Sequence, residues 1–236
     1  MAEFAGKVVA VTGAAGALGR SVSARFARAG ARLLLLDREQ AAVDALRAEL
    51  GAGHEARAVD LTSREGTAAA IAGAAKNLAR IDVLCNIAGA FAMGPPVHAL
   101  PPNQWRQMFD INVTTLLNAV AAVVPLMLGA GRGGKIVNVG AMSAASGKAH
   151  MAAYVAAKST VSRITESMAA ELRDSGINVN CVLPSIIDTP PNRASMPKAD
   201  FSRWVEPAAI ADVVAFLASD AARAIHGASI PVAGLS

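Results

Sequence analysis

The chain has 236 residues, of which 53% are apolar and 17% charged, so one sizeable α/β domain can bury a full hydrophobic core. A net charge of +4 and only 4% aromatic residues argue against nucleic-acid binding. Cys85 and Cys181 lie in apolar runs, which predicts buried, reduced thiols. The N-terminal sequence does not have the pattern of a secretory signal. No run of 18 apolar residues is free of polar breaks. We therefore expect a cytoplasmic protein that does not bind membranes.

Short apolar runs alternate with amphipathic stretches along the whole chain. Strands are predicted at 7–12, 31–36, 55–59, 81–85, 135–139, 177–183 and 229–233. Helices are predicted from the end of the first turn to 29, and at about 40–50, 63–79, 103–129, 152–174 and 208–219, with Gly- and Pro-rich loops at 91–102 and 184–207. Such alternation predicts a single α/β domain over 1–236, a doubly wound parallel sheet of about seven strands with helices on both faces. The substrate would bind at the carboxyl ends of the strands, under a lid at about 186–206.

A glycine-rich turn, Gly13-Ala-Ala-Gly16-Ala17-Leu18-Gly19, follows the first strand and opens a helix. The N–H groups and positive dipole end of a helix N-terminus suit a pyrophosphate. Asp37 ends the second strand roughly 20 residues on, where a carboxylate can accept hydrogen bonds from both ribose hydroxyls. Because the Asp37 carboxylate would repel a 2′-phosphate, NAD(H) is favoured over NADP(H). Arg38 could nevertheless turn to bind a phosphate. A simple βα turn with a surface aspartate is the plainer alternative.

Tyr154, the only tyrosine, lies four residues before Lys158 in an alanine-rich stretch with good helix propensity. Residues at this spacing share one face of a helix. An ammonium beside a phenol favours phenolate, so we expect the pKa of Tyr154 to fall below its usual value of about 10. The pair could then transfer protons near neutral pH. By itself, this spacing more often reflects two residues on a solvent-exposed helix face that have no catalytic role.

Six motifs together resemble the short-chain dehydrogenase/reductase family, in order and spacing and over essentially the whole chain. They are Thr12-Gly13 to Gly19, Asp60, Asn86-Ile-Ala88-Gly89, Asn112, Tyr154-x-x-x-Lys158 and Pro184-x-x-Ile187-x-Thr189. The resemblance implies a Rossmann domain that transfers hydride between NAD(P)(H) and a small carbonyl or alcohol. It implies that Tyr154 is the catalytic acid/base and that Lys158 binds the hydroxyls of the nicotinamide ribose. It also implies that Asn112 holds a water molecule in a proton relay.

The same resemblance places the remaining cofactor contacts. The glycine-rich turn would hold the pyrophosphate, and Asn86 and Ala88 would line the adenosine ribose and help to fix the fourth strand. Asp60 is placed to reach the adenine amino group, with a role at the following helix N-terminus as the alternative. The predicted cofactor-binding residues are Gly13, Gly16, Ala17, Leu18, Gly19, Asp37, Arg38, Asp60, Leu61, Asn86, Ala88, Gly89, Tyr154, Lys158, Pro184, Ile187 and Thr189.

Three positions depart from the family pattern. Ala17 replaces the middle glycine of the turn, and Ser185 follows Pro184 where glycine is usual. Ala141 stands at the position of the family's catalytic serine, whose loss costs roughly 3–4 kcal/mol in enzymes that depend on such a donor. Ser143 would substitute if the backbone stays extended, since residues i and i+2 then point the same way. A loop serine bonded to backbone is an equally good alternative.

One subgroup, the dihydropteridine reductases, resembles the chain at Gly140-Ala141 and along the lid from Val182 to Trp204. A quinonoid ring accepts hydride readily and needs little carbonyl activation. Asn112 and Asn86-Ile-Ala-Gly look more like the general family, so ordinary ketones and alcohols stay open as substrates. The predicted substrate residues are Met93, Ser143, Tyr154, Arg193 and Trp204, with lid packing as the alternative for Arg193 and Trp204.

Two other classes of function compete with an enzyme. Ala141 favours a dinucleotide-binding sensor or scaffold with a degraded active site, and a structural protein without cofactor is the third possibility. The histidines lack metal-ligand spacing, so no metal is expected. The family resemblance and the apolar run 120–128 predict a homo-oligomer, either a dimer or a tetramer.

Overall fold

A computed structural model describes residues 2–236. Seven parallel strands form one sheet in the order β3-β2-β1-β4-β5-β6-β7. Their bounds are β1 Val8–Thr12, β2 Arg32–Asp37, β3 Glu55–Ala58, β4 Val83–Asn86, β5 Gly134–Val139, β6 Ile177–Pro184 and β7 Ser229–Val232. The prediction of a seven-stranded, doubly wound parallel sheet is confirmed.

Helices cover both faces of the sheet. They are α1 Ala17–Arg28, α2 Gln40–Leu50, α3 Arg64–Leu78, α4 Pro102–Phe109, α5 Thr115–Ala130, α6 Ala152–Leu172, α7 Pro190–Ser195 and α8 Pro207–Ala218. Phe26 of α1 and Val214 of α8 are fully buried in one hydrophobic cluster. Ile71 of α3 and Val123 of α5 belong to a second cluster. The central strands β1, β2 and β4 lie between the two clusters and are almost wholly buried, which explains their nearly continuous apolar sequences.

The predicted helix over 103–129 is interrupted in the structure. A π-helical turn, Asp110–Thr114, separates α4 from α5, and the N–H of Thr115 donates to the Asp110 carbonyl five residues back. A π turn adds one residue to the helical repeat and is frequent at functional sites. It leaves Asn112 buried. The lid also differs from the predicted irregular loop, since it contains α7 and a 3₁₀ turn at Phe201–Arg203.

The segment Pro102–Ala130 is long and apolar enough to cross a membrane, judged by length and composition alone. The expectation concerned runs free of polar residues, and this segment contains Asn112, Thr115 and Asn118. Ala119, Val123 and Met127 of this segment are buried in the cluster beside the sheet. An interior helix of an α/β domain has the same composition, because one of its faces belongs to the core.

The strand order reverses between β1 and β4, where crevices form at the carboxyl ends of parallel strands. Thr12 and Asn86 end these two strands side by side. The Thr12 hydroxyl accepts hydrogen bonds from the backbone N–H groups of Ile87 (3.0 Å) and Ala88 (3.1 Å). The chain leaving β4 is therefore fixed against the end of β1, next to the glycine-rich turn.

Candidate active site

A cleft of about 770 Å³ opens at this crevice. Twelve predicted cofactor-binding residues line it, namely Gly13, Gly16, Ala17, Leu18, Gly19, Asp37, Arg38, Asp60, Leu61, Ala88, Gly89 and Thr189. Asn86, Tyr154, Lys158, Pro184 and Ile187, which were also predicted, are not among its lining residues. The rest of its lining comes from residues that were not predicted, namely Thr62, Ile87, Asn103, Arg106, Gln107, Asp110, Ile111 and Thr115. Most of them belong to α4, the π-helical turn and α5, and no motif marks them.

The glycine-rich turn packs so closely against its own backbone and against Ala88 that it has no room for side chains at Gly13 and Gly19. A Cβ on Gly19 would lie 2.0 Å from the Gly13 carbonyl oxygen, and Gly13 itself has φ +63° with Ala88 Cα 2.8 Å from its would-be Cβ. Gly16 is the N-cap of α1 and supplies no side chain to the cap. The first N–H groups of α1 are thus free to meet an anion. This bare cradle fits a dinucleotide pyrophosphate, with the Ala17 methyl group on its wall.

Asp37 fastens the glycine-rich turn to the end of β2. Its Oδ2 accepts from the N–H of Ala15 (2.9 Å), and its Oδ1 accepts from the N–H of Arg38 (2.8 Å). Both oxygens keep lone pairs for further donors, because a carboxylate has about four acceptor sites. A carboxylate so held in the cleft suits a ribose diol.

Asp60 reaches the same cleft with its carboxylate exposed. Hydrogen bonds from the Thr62 hydroxyl (2.7 Å) and N–H (2.9 Å) hold the pKa of Asp60 below its usual value, and the charge of Arg38 adds to this effect. Ser63, not Asp60, caps α3 by accepting from the N–H of Gly66. The alternative cap role therefore belongs to Ser63, and Asp60 remains available to a ligand.

Asn86 lies beneath the cleft and is buried. Its Nδ2 donates to Asn138 Oδ1 (2.9 Å), and Asn138 Nδ2 donates to the Thr165 hydroxyl (2.9 Å). This chain of polar groups links β4 to β5 and to α6. The side chain of Asn86 thus fixes the fourth strand and does not line the predicted ribose site.

Gly89 is the point where the cleft meets the predicted catalytic residues. A Cβ at this position would lie 2.7 Å from Asn112 Oδ1 and 3.0 Å from Lys158 Nζ. The side chain of Asn112 is hydrogen-bonded to backbone groups. Its Oδ1 accepts from the N–H of Ala90 (3.1 Å), and its Nδ2 donates to the carbonyls of Ala90 and Met108 (both 3.0 Å). Both Nδ2 protons are engaged, so the predicted relay water would have to find another group of Asn112, such as its main-chain carbonyl.

Lys158 is only 5% exposed, and its Nζ donates to the Val139 carbonyl (2.8 Å). Burial lowers the pKa of Lys158 to about 8. Burial raises the pKa of Tyr154 to about 12. The expectation that Lys158 lowers the pKa of Tyr154 is wrong for this structure, because desolvation of the phenol outweighs any effect of an ammonium that is itself turned to Val139.

The backbone changes conformation between Ala141 and Ser143, the residue predicted to replace the family's serine hydroxyl. Ala141 is extended (φ −159°, ψ 141°), but Met142–Ala145 forms a 3₁₀ helix. The condition under which Ser143 would point the same way as residue 141 is therefore not met, and that part of the prediction is wrong. Residues two apart in a 3₁₀ helix lie on different sides of it.

The lid uses two of the predicted substrate residues, Arg193 and Trp204, for its own packing. Arg193 pairs with both carboxylate oxygens of Asp188 (2.5 and 2.7 Å) and lies over the Phe201 ring, 4.8 Å from its centroid. Trp204 is 7% exposed and packs on Phe201 at 4.8 Å between centroids. This burial favours the lid-packing alternative for Trp204. Met93, in contrast, is 61% exposed.

Ser185, the departure from the usual glycine, is bonded to the end of the chain. Its hydroxyl donates to the Ala233 carbonyl (2.6 Å) and accepts from the Ser236 hydroxyl (2.7 Å). Arg203 joins the lid to the same segment, because its Nη2 donates to the Leu235 carbonyl (2.6 Å). The lid base and the final residues thus hold each other in place.

Comparison with known proteins agrees with this geometry. The family model described as short chain dehydrogenase matches residues 7–200. A cis-4-hydroxycyclohexanecarboxylate dehydrogenase of Sinomonas cyclohexanicum is 36% identical, with 98% of this chain and 96% of that protein covered. A galactitol 2-dehydrogenase (L-tagatose-forming) of Cereibacter sphaeroides is 35% identical, with 97% and 94% covered. The structure of an NAD⁺-bound xylitol dehydrogenase superimposes with a TM-score of 0.91 at 28% identity, covering 98% of this chain and 99% of the other.

The fold, the cleft and these relatives define a nicotinamide-dependent oxidoreductase that acts on alcohols or carbonyls. More narrowly, the chain belongs to the short-chain dehydrogenase/reductase family. The family resemblance read from the six motifs is confirmed. The likeness to the dihydropteridine reductase subgroup is not specifically shown.

Replacing Tyr154 by Phe removes one hydroxyl and keeps the ring. We expect the turnover number to fall by roughly 10²–10⁴-fold, because general acid–base catalysis contributes that much and the chain has no second tyrosine. Steady-state assays with alcohols and NAD⁺ measure this, and fluorescence titration with NADH should show unchanged binding. Ser143→Ala is the control and should keep most of the activity. A Tyr154→Phe enzyme as fast as the original would refute the acid/base role.

Proposed function

We propose that the protein interconverts a secondary alcohol and the corresponding ketone, with NAD(H) as its cofactor. The observation that supports this most strongly is the position of Gly89. It lines the cofactor-sized cleft, and Lys158 Nζ and Asn112 lie directly behind it. A degraded, non-enzymatic site would have no reason to keep a buried lysine at this point, since a buried amine costs stability.

The residues of the chain would supply binding and proton transfer. A bound dinucleotide would supply the hydride chemistry, as the hydride acceptor for an alcohol and the hydride donor for a carbonyl. Tyr154 takes the hydroxyl proton during oxidation and returns it to the carbonyl oxygen during reduction, so the substrate loses or gains one hydride and one proton. Lys158 would donate to the nicotinamide ribose, with the glycine-rich turn on the pyrophosphate and Asp37 on the adenosine ribose.

Substrates that need little carbonyl activation fit Ala141 best, since no hydroxyl is present at that position. The lid sequence favours a second candidate, a quinonoid dihydropterin. A panel of secondary alcohols with NAD⁺, and of ketones and quinonoid dihydropterin with NADH, separates the two. Reduction of the dihydropterin at a kcat/KM well above that of every ketone would favour the second candidate. Binding of NADH without turnover of any substrate would sink both.

Asp37 would set the choice of cofactor, because its charge opposes a 2′-phosphate. We expect Asp37→Asn to raise kcat/KM for NADP⁺ relative to NAD⁺ by roughly tenfold, which corresponds to about 1.4 kcal/mol. The asparagine keeps an oxygen that can accept from the N–H of Ala15. Initial rates with both cofactors give the ratio, and Asp44→Asn on α2 is the control for a lost surface charge. A wild-type enzyme that already prefers NADP⁺ would contradict the proposal and point to Arg38.

The pH dependence should differ between the two directions. A phenol with a pKa of about 12 stays protonated at neutral pH. Carbonyl reduction uses the protonated form, so its rate should stay level through neutral pH and fall only in strong alkali. Alcohol oxidation uses the phenolate, so its kcat/KM should rise roughly tenfold per pH unit. If oxidation instead levels off near pH 7, binding of cofactor must lower the pKa of Tyr154 after all.

We also propose a cytoplasmic homo-oligomer that associates through α5. Leu117, Leu126 and Leu128 are large apolar side chains left exposed on this helix. Covering such side chains favours association of two copies. Light scattering should give the mass of a dimer or tetramer, and Leu117→Glu should lower it, whereas Val97→Glu, another exposed apolar position, should not. A monomeric wild-type protein would rule out this proposal.

A further inference from the structure

We propose that Phe91 positions Tyr154 and makes the site selective for cyclic, apolar secondary alcohols over open-chain polyols. This inference rests on the proposed function, since it names the substrate class of the same site. It starts from the loop that follows β4, in which Phe91 and Met93 are the only side chains larger than a methyl group between Ala90 and Gly94.

The loop is held at both ends. Ala90 is bonded through its N–H and its carbonyl to the side chain of Asn112. Gly94 donates its N–H to the carbonyl of His150 (2.7 Å), and its own carbonyl lies 3.2 Å from His150 Nδ1. His150 has φ +62°, a conformation uncommon for residues with a Cβ. Both anchors belong to the site, because Asn112 lies beside Lys158 and His150 precedes the helix of Tyr154.

Between these anchors, the edge of one ring meets the face of another. The ring centroids of Phe91 and Tyr154 are 4.9 Å apart, and their planes make an angle of 87°. This edge-to-face arrangement is a preferred geometry of aromatic pairs. Phe91 therefore limits the swing of the Tyr154 ring and shields one side of it from water. The same shielding adds to the burial that raises the pKa of the phenol.

The remaining surface of Phe91 is open. Phe91 is 53% exposed and Met93 61% exposed, and Ala92 lies between them. None of the side chains from Ala90 to Met93 can accept or donate a normal hydrogen bond. A cyclic apolar substrate would cover this surface, whereas the hydroxyls of a polyol would lose water there without gaining partners.

Cyclohexanol and xylitol, each with NAD⁺, are the probes that test the selectivity. The wild-type enzyme should have the higher kcat/KM for cyclohexanol, and Phe91→Ala should lower the cyclohexanol-to-xylitol ratio by roughly tenfold. Phe91→Leu keeps apolar surface but loses the aromatic pair, so its ratio should fall less. Phe216→Ala is the matched control, because it removes a phenylalanine 45% exposed on α8 and should leave the ratio unchanged.

The pH profile of oxidation tests the positioning role. Phe91→Ala admits water to the Tyr154 ring, so the alkaline rise in kcat/KM should move to lower pH. The leucine variant should move less, and the Phe216→Ala control should not move. A role in stability alone would lower the melting temperature without shifting this profile. If Phe91→Ala does not fold, Phe91→Leu carries both comparisons.

Two outcomes overturn the inference. One is a wild-type enzyme that prefers xylitol or oxidises neither probe, and the other is a Phe91→Ala enzyme with an unchanged ratio and an unchanged pH profile. Either outcome leaves the proposed function intact as long as some alcohol or ketone is turned over in a Tyr154-dependent manner. The proposed function fails separately, if Tyr154→Phe has no effect on any substrate.

Discussion

The burial of Lys158 is the constraint on which the rest of the site depends. A buried amine needs a hydrogen-bond partner to replace water, and the Val139 carbonyl at 2.8 Å is that partner. The space around it depends on a glycine, since a Cβ on Gly89 would lie 3.0 Å from the amine and 2.7 Å from Asn112 Oδ1. The loop after β4 can therefore approach the amine only because this residue lacks a side chain, and the same loop lines the cleft.

The lysine and the tyrosine are tuned in opposite senses by the same cause. Desolvation disfavours the charged form of each, so it lowers the pKa of Lys158 to about 8 and raises that of Tyr154 to about 12. In this state the phenol is a proton donor, ready for carbonyl reduction. Oxidation needs the phenolate, which a positive charge near the ring would favour. A bound dinucleotide brings such a charge with its oxidised nicotinamide, so the direction of the reaction and the protonation of Tyr154 are physically linked.

The fold could be predicted from sequence because its signals are periodic. Apolar runs such as Val8–Thr12 and Arg32–Asp37 are nearly continuous, which is typical of buried parallel strands. The glycine-rich turn and Asp37 were predicted to bind the same cofactor, and both line the cleft. The π turn around Asn112 was missed because it adds one residue to a helix whose composition stays helical throughout. The cleft wall from α4 was missed because Arg106 and Gln107 carry no motif. Burial, which decides the pKa of Tyr154 and the role of Trp204, depends on tertiary packing that no local pattern encodes.

Ala141 shows why a missing catalytic group must be interpreted together with its surroundings. The extended backbone at this residue gives way at once to a 3₁₀ helix, so Ser143 does not point the same way as residue 141. On the facing loop, the side chains from Ala90 to Met93 are apolar as well. In the proposed mechanism, a substrate oxygen therefore has Tyr154 as its main protein donor. The rate then depends on how firmly that one hydroxyl is held, which gives the Asn112–Ala90 bonds and the Phe91 ring more influence than they would have beside a second donor.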